Sequence, residues 1–313
     1  LPYLVSSQTW YAFSYCGSDA FALFVSFLLT CQLIDQKSIL HEYLKGVSGF
    51  LRLLALVFLP LALGVLFTLK MNYYAFIGVL YLVLWLKVFY TDEYEWDKKT
   101  AIKRLVLITF LGLTFLGVRV GADYVINGFD KKEKIATLQE EYANYAHKPS
   151  TPVAERGSTL YMKDRGVTFS EMVSKYHWDI KTFHSSFGVF GYLNIISPQH
   201  FYLIIKWFGA ALLIYLLISI VIGGGCIGIG ITSVVTGASL FLILVSLHHS
   251  WAYDFQAQGR YLFPILPMAG VVLGVNIKAI DKRALLLLIG IMTLLGLYSF
   301  IFQGILKIPK IPF

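Results

Sequence analysis

Charge is what this chain of 313 residues has least of: 14% of it is Asp, Glu, Lys or Arg, where a soluble domain carries about a quarter. With 57% of the residues hydrophobic, that deficit excludes an ordinary water-soluble fold. Cysteine is scarce as well. Cys16, Cys31 and Cys226 all lie in or beside apolar stretches, so neither a disulfide framework nor a cysteine-based metal site is supported. Internal repeats, which mark many transporters, are missing, and ionisable residues within the apolar stretches are few. Lys87 and Lys206 lie near the ends of theirs, where a long side chain can snorkel. The opening Leu1-Pro2 has no Met, no basic flank and no signal-peptide pattern, and an apolar stretch is already under way at 1–13. We expect a piece of a longer chain whose first helix is truncated.

What is present is apolar sequence in blocks. A span needs roughly 20 such residues, since a helix rises about 1.5 Å per residue through a hydrocarbon core about 30 Å thick. Eight stretches qualify: 20–34, 49–69, 73–90, 102–120, 201–222, 226–247, 261–277 and 284–302, with 1–15 as the tail of a ninth. The first is short, and Pro60 should kink the second. The fold class expected is an all-α integral membrane bundle. It divides into helices at 1–120, a polar segment at 121–200, and helices at 201–313 interrupted by a polar loop at 248–260.

The net charge of +8 is not a nucleic-acid signature, because the cations sit in short loops rather than on one face. Lys37, Lys45, Lys98, Lys99, Lys103, Arg104, Lys278, Lys282 and Arg283 fall on alternate loops that share a side, while the opposite short loops offer little beyond Lys70 and Arg260. The positive-inside rule makes the first group cytoplasmic. Segments 121–200 and 248–260 then both lie outside. The acidic run from Thr91 to Asp97 falls on the inner side, followed by Lys98 and Lys99, and reads as a solvated loop.

Within 121–200, the text DKKEKIATLQEEYANYAH from Asp130 places Ile135, Leu138, Tyr142 and Tyr145 at helical spacing, with Asp130-x-x-Glu133 as a capping box. Pro149 and Pro152 end that helix. A second begins at Thr168-x-x-Glu171 and carries Met172, Val173, Tyr176 and Ile180 on one face. Two placements compete: a small cap over the helix ends, or helices lying on the membrane surface.

The most informative polar break is HHSWAYDFQAQGRYLFPILP at 248–267, where Asp254, Gln256, Gln258 and Arg260 stand between apolar runs. Such a cluster is costly at a membrane boundary unless it faces water, protein or a polar ligand. Adjacent His248 and His249 point about 100° apart on a helix and miss the i, i+4 pairing of zinc sites. A divalent cation between His248 and Asp254 is the one cofactor the spacing leaves room for. His177 and His184, seven apart, can share a helix face, and packing is preferred to ligation there. Gly225-x-x-Gly228-x-Gly230 lacks the strand-turn-helix setting of a nucleotide loop; these glycines let membrane helices approach.

The text KTFHSSFGVFGYLNIISPQHFY from Lys181, followed by QGRYLFPILP, resembles a bacterial multi-spanning family catalogued as domain of unknown function 2142. That family is grouped with the GT-C glycosyltransferases. Ser186-Phe187-Gly188-Val189-Phe190-Gly191 fits its Phe-rich segment, with Gly188 where many members have Trp. Leu1-Pro2 through Ser18-Asp19 is similar to its Pro-led helix ending in a Ser-x-Asp-type step. The resemblance covers most of the chain and implies a GT-C-like bundle with an extracytoplasmic cap in the bacterial inner membrane. It implies transfer of a sugar from a polyprenyl-phosphate donor to a glycan, lipid or protein acceptor. The family's N-terminal part, where the main acidic catalytic residue is expected, is absent from these residues.

Such chemistry needs a base near the acceptor hydroxyl and preorganised positive charge near the departing phosphate. Arg260 suits the second role through its planar, permanently charged fork, and Gln258 a sugar or phosphate oxygen. The rival reading has Arg260 snorkelling or pairing with Asp254. Asp19 is the candidate for base, sugar or metal contact, with plain helix N-capping as its alternative. Arg119 and Asp123, four apart, read as an internal ion pair, with phosphate binding by Arg119 as the sharper view. Lys181 is a further cation for a lipid phosphate; His184, Phe187, Gly188 and Tyr261 are expected to line the pocket. The competing functions are a non-catalytic accessory subunit with membrane-protein partners, and a transporter.

Overall fold

The computed structural model describes residues 2–14, 17–90, 96–191 and 193–307. The acidic run at 91–95 lies outside them. Among the described residues the chain is all-α except for one short antiparallel pairing, β1 (Val189–Phe190) with β2 (Ile195–Ile196), and an isolated bridge between Leu160 and Asp254.

Among the described residues six helices are long and apolar enough to cross a membrane. They are α4 (Phe50–Leu69), α5 (Tyr74–Tyr90, led by a 3-10 turn), α6 (Lys98–Asn127), α10 (Gln199–Gly223), α11 (Gly225–Ala252) and α13 (Lys282–Tyr298, continued by a π-helical turn to Ile305). Two of the eight expected spans are shorter. After α1 (Ser7–Ser14), α2 (Ser18–Ile34) has 17 residues, a rise of about 25 Å. The other, α12 (Ile265–Val275), has 11 residues and rises about 16 Å. Its shortness has a local cause: Pro264 and Pro267 restrict the helix to starting late, and Gly259–Leu262 winds as a separate 3-10 turn. Helix α4 runs unbroken through Pro60.

The core is a block of α2, α4, α5 and α12, filled by Leu23, Leu59, Leu66, Phe76, Leu84 and Met268. Helix α6 lies along α4, and Gly64 and Gly112 let the two backbones close. A Cβ on Gly64 would fall 2.7 Å from the Phe115 ring. Outward faces of α10 and α11 remain apolar and exposed, as at Leu213, Leu217, Phe241 and Leu244, which is the pattern of a lipid-facing surface.

The loops sort to two ends. At one, the short helix α3 (Ile39–Lys45) packs beneath α4 and α6, and Arg104 donates to the Tyr43 carbonyl. This is the basic end. At the other, the segment after α6 folds back over α11. It contributes α7 (Lys131–Tyr142), α8 (Phe169–Ser174) and α9 (Trp178–Phe187).

Two expectations for that segment fail. Asp130 makes no side-chain cap; its carboxylate pairs with Lys134 at 2.9 Å instead. The capping box at Thr168 and Glu171 does form, but the helix it opens stops at Ser174. His177 then adopts a left-handed backbone, φ 56°, and starts α9 in a new direction. Met172 and Ile180 therefore share no face: Met172 is buried and Ile180 exposed. Histidines 177 and 184 share none either.

Candidate functional site

The end opposite the basic one is assembled from three distant segments. Ser6 Oγ donates to the Ser186 carbonyl and Ser7 Oγ to the Phe187 carbonyl. With its amide oriented to suit its neighbours, Gln8 donates to the carbonyls of Ser185 (3.2 Å) and Val189 (2.8 Å). The Gly259 N–H donates to Ser185 Oγ at 2.8 Å, and a Cβ on Gly259 would sit 2.1 Å from Ser186 Oγ. The SSFG and QGR texts thus meet, but as a packed seam without space for a ligand.

The rest of 121–200 packs beside that seam on the last turn of α11. Tyr161 N–H donates to the Tyr253 carbonyl (2.8 Å), Lys163 N–H to that of Trp251 (3.0 Å), and Phe255 N–H to that of Thr159 (2.9 Å). Carbonyls at a helix C-terminus, which have no partner in their own helix, are satisfied this way. Trp178 Nε1 donates to Ser250 Oγ (2.9 Å) and Trp251 Nε1 to the Val167 carbonyl (2.8 Å), over a small core of Met162, Met172 and Trp178.

Between this cover, the start of α5 and the second half of α11 lies a hollow of about 650 Å³. Its polar rim is Lys70, Asn72, His249, Gln256 and Tyr261; its walls include Tyr74, Phe241, Leu242 and Val245. Asn72 Nδ2 donates to the Tyr261 carbonyl at 3.0 Å, Tyr261 Oη to Gln256 Oε1, and Gln256 Nε2 to Asp254 Oδ2 at 2.6 Å. Those bonds orient the rim. Phe241, Val245 and Tyr74 are exposed on the outer surface of the bundle, so the apolar wall continues sideways out of the hollow. Such a space takes a ligand with a polar head and a hydrocarbon tail.

Among the residues expected at the site, Tyr261 lines this hollow. Asp19 stands behind it, 6% exposed, with Oδ1 3.3 Å from Lys70 Nζ. It is not the cap of α2, a position held by Gly17; Asp19 lies two residues further in and turns to the lysine. The others lie elsewhere. Asp254 is engaged by Gln256 and pairs with Leu160 across a β-bridge. Arg260 sits in the 3-10 turn with its guanidinium 5.3 Å from the Tyr261 ring, outside the lining, and Gln258 precedes that turn.

Phe187 packs with Phe183 and Phe201, while Gly188 has no room for a side chain: a Cβ would meet Ser197 Oγ at 2.7 Å. Both belong to the seam rather than to a pocket. His184 stacks on Tyr202, 3.8 Å between centroids, and borders a different hollow of about 440 Å³ with Asp179 and Lys206. Burial lowers its pKa. Lys181 lies 5.2 Å from the Phe255 ring. The Arg119–Asp123 pair does not form, because Lys131 reaches Asp123 at 2.6 Å from the next helix.

Lys70, Asn72 and His249 line the hollow without having been among the residues expected at the site. Lys70 had a signal, as the isolated cation on an otherwise uncharged short loop. His248 and His249 do diverge: the first turns to Trp251 and the second lines the hollow. Among the described residues no group of three or more His, Cys, Asp or Glu converges to hold a metal ion. No family model, curated protein or solved structure matches this chain.

Proposed function

We propose that the protein transfers a sugar from a polyprenyl-phosphate-linked donor to a glycan, lipid or protein acceptor, on the extracytoplasmic face of a bacterial inner membrane. The observation that carries this reading is the hollow at the cap end, with a lysine in its rim and an apolar wall that continues onto the lipid-facing surface. Lys70 takes the role first given to Arg260: a cation beside the departing phosphate, held by the buried Asp19 carboxylate. His249 is then the base for the acceptor hydroxyl, because it supplies the imidazole on the rim. Asn72 and Gln256 supply amides for sugar hydroxyls.

Labelled lipid-linked sugars presented to the purified full-length protein test the reading. Transfer from at least one donor is expected, falling about a hundredfold in Lys70→Gln and recovering in Lys70→Arg. Absence of transfer across a broad donor panel would sink it. A non-catalytic accessory subunit is the second reading. It is favoured by one fact: no carboxylate lines the hollow among the described residues. That reading expects retention of the lipid donor without turnover.

A further inference from the structure

A second hollow, of about 450 Å³, opens at the basic end, where α2, α5 and α12 end and the chain turns from α10 into α11. It is separate from the hollow proposed for catalysis and shares no lining residue with it. Three features give it a chemical character.

The first is the start of α11. This 28-residue helix begins at Gly225 after a glycine turn, with no side-chain cap, and Gly224 and Gly228 line the space. Amides of a first helical turn have no carbonyl within their own helix, and the helix dipole adds positive potential there. The second is a pair of cations, Lys87 and Lys278, in the lining. Lys87 is anchored by donation to the Leu33 carbonyl. Together these features favour an anion with several oxygens, as a phosphate has.

The third is Asn276. It lines the hollow, is 2% exposed, and its Nδ2 is held by the Val272 carbonyl at 3.0 Å. Its Oδ1 has no hydrogen-bond donor. The oxygen lies against Gly224 and Gly228, where any side chain would displace it: a Cβ on Gly228 would be 2.1 Å away. A buried acceptor left without a donor costs on the order of 1–3 kcal/mol, so a ligand that brings an O–H or N–H here is favoured. An ammonium donor would be repelled by two lysines and the helix start. A neutral hydroxyl is not.

From these we infer that the basic end binds a phosphate ester bearing a free hydroxyl, of the glycerol phosphate type, with the phosphate at the start of α11 between Lys87 and Lys278 and the hydroxyl on Asn276. The same chemistry reaches the site from a phosphatidylglycerol headgroup in the inner leaflet or from a soluble glycerol phosphate. Ile34, Leu86 and Ile227 along the lining suit the first source.

Purified protein offered equal amounts of phosphatidylglycerol, phosphatidylethanolamine and phosphatidylcholine with matched chains, then read by native mass spectrometry, provides the test. Phosphatidylglycerol should be retained about tenfold over the other two by wild type. The exposed Lys282→Glu change, at the same end but outside the lining, should leave that ratio intact. Lys278→Glu and Asn276→Ala should each bring it below about twofold; the first is on the surface and spares the fold. Release of the bound lipid by sn-glycerol 3-phosphate would support the same site filled from water. Equal retention of all three lipids by wild type would overturn the inference, as would a preference untouched by both substitutions.

Discussion

At the scale of single residues, the basic end holds a buried imidazole whose protonation state follows from its neighbours. His41 is fully buried; its Nε2 faces Lys87 Nζ at 3.4 Å, and its Nδ1 faces Ser38 Oγ (2.9 Å) and the Gln32 carbonyl (3.1 Å). An ammonium can only donate, so Nε2 is the acceptor and Nδ1 carries the proton. Burial, helped by the Lys87 charge, pulls the group from its ordinary 6.5 down to about 4. The unfolded chain therefore takes up this proton first as pH falls. Stability contributed by neutral His41 is complete above pH 6.5 and is lost toward pH 4, roughly 3 kcal/mol in all. Thermal unfolding in detergent should show a midpoint that drops between about pH 7 and about pH 4.5, with a shallower drop in His41→Gln. Identical slopes in the two proteins would refute this account.

Among secondary-structure elements, the seam at α9 is the most constrained contact. Gly259 lies so close to Ser186 that Gly259→Ala must part the 3-10 turn from α9. Overpacking of this kind costs about 1–3 kcal/mol. The substitution is expected to lower thermal stability measurably, while Gly237→Ala, with nothing within 4 Å of the added carbon, should be neutral or better. The elements themselves were largely readable from hydropathy, because a block of apolar residues in lipid has few choices but a helix. The ends were harder. Periodicity carried a helix from Thr168 past Tyr176, and nothing in the spacing shows that His177 turns left-handed so that Trp178 can reach Ser250. Pro264 and Pro267 did carry a local signal, but the apolar content of 261–277 outweighed it.

Over the whole molecule, the two ends are distinguished by charge, and the loops sort as their cations require. The site was legible only in outline. The polar break at 248–260 lies at the end that holds the proposed hollow, but which of its side chains face space depends on packing between α5 and α11, far apart in sequence. Tyr261 is held at the hollow by Gln256 on its hydroxyl and Asn72 on its carbonyl, whereas Arg260, its neighbour in the same short turn, is not in the lining. The orientation itself is open to measurement. In a cysteine-free background, Lys148→Cys should react with an impermeant maleimide on intact cells, and Lys99→Cys only after permeabilisation. Labelling in the opposite order would invert the molecule and remove the proposed active hollow from the extracytoplasmic face.

The hydroxyls of Ser6 and Ser7 find their acceptors on residues made some 180 positions later, and Gly259 closes the join later still. During synthesis α1 must therefore wait, undocked, until α2 to α6 and the polar segment after them have been made. A chain interrupted before α9 would leave those serines without a home, and its unfinished face would be open to the quality-control proteases of the membrane.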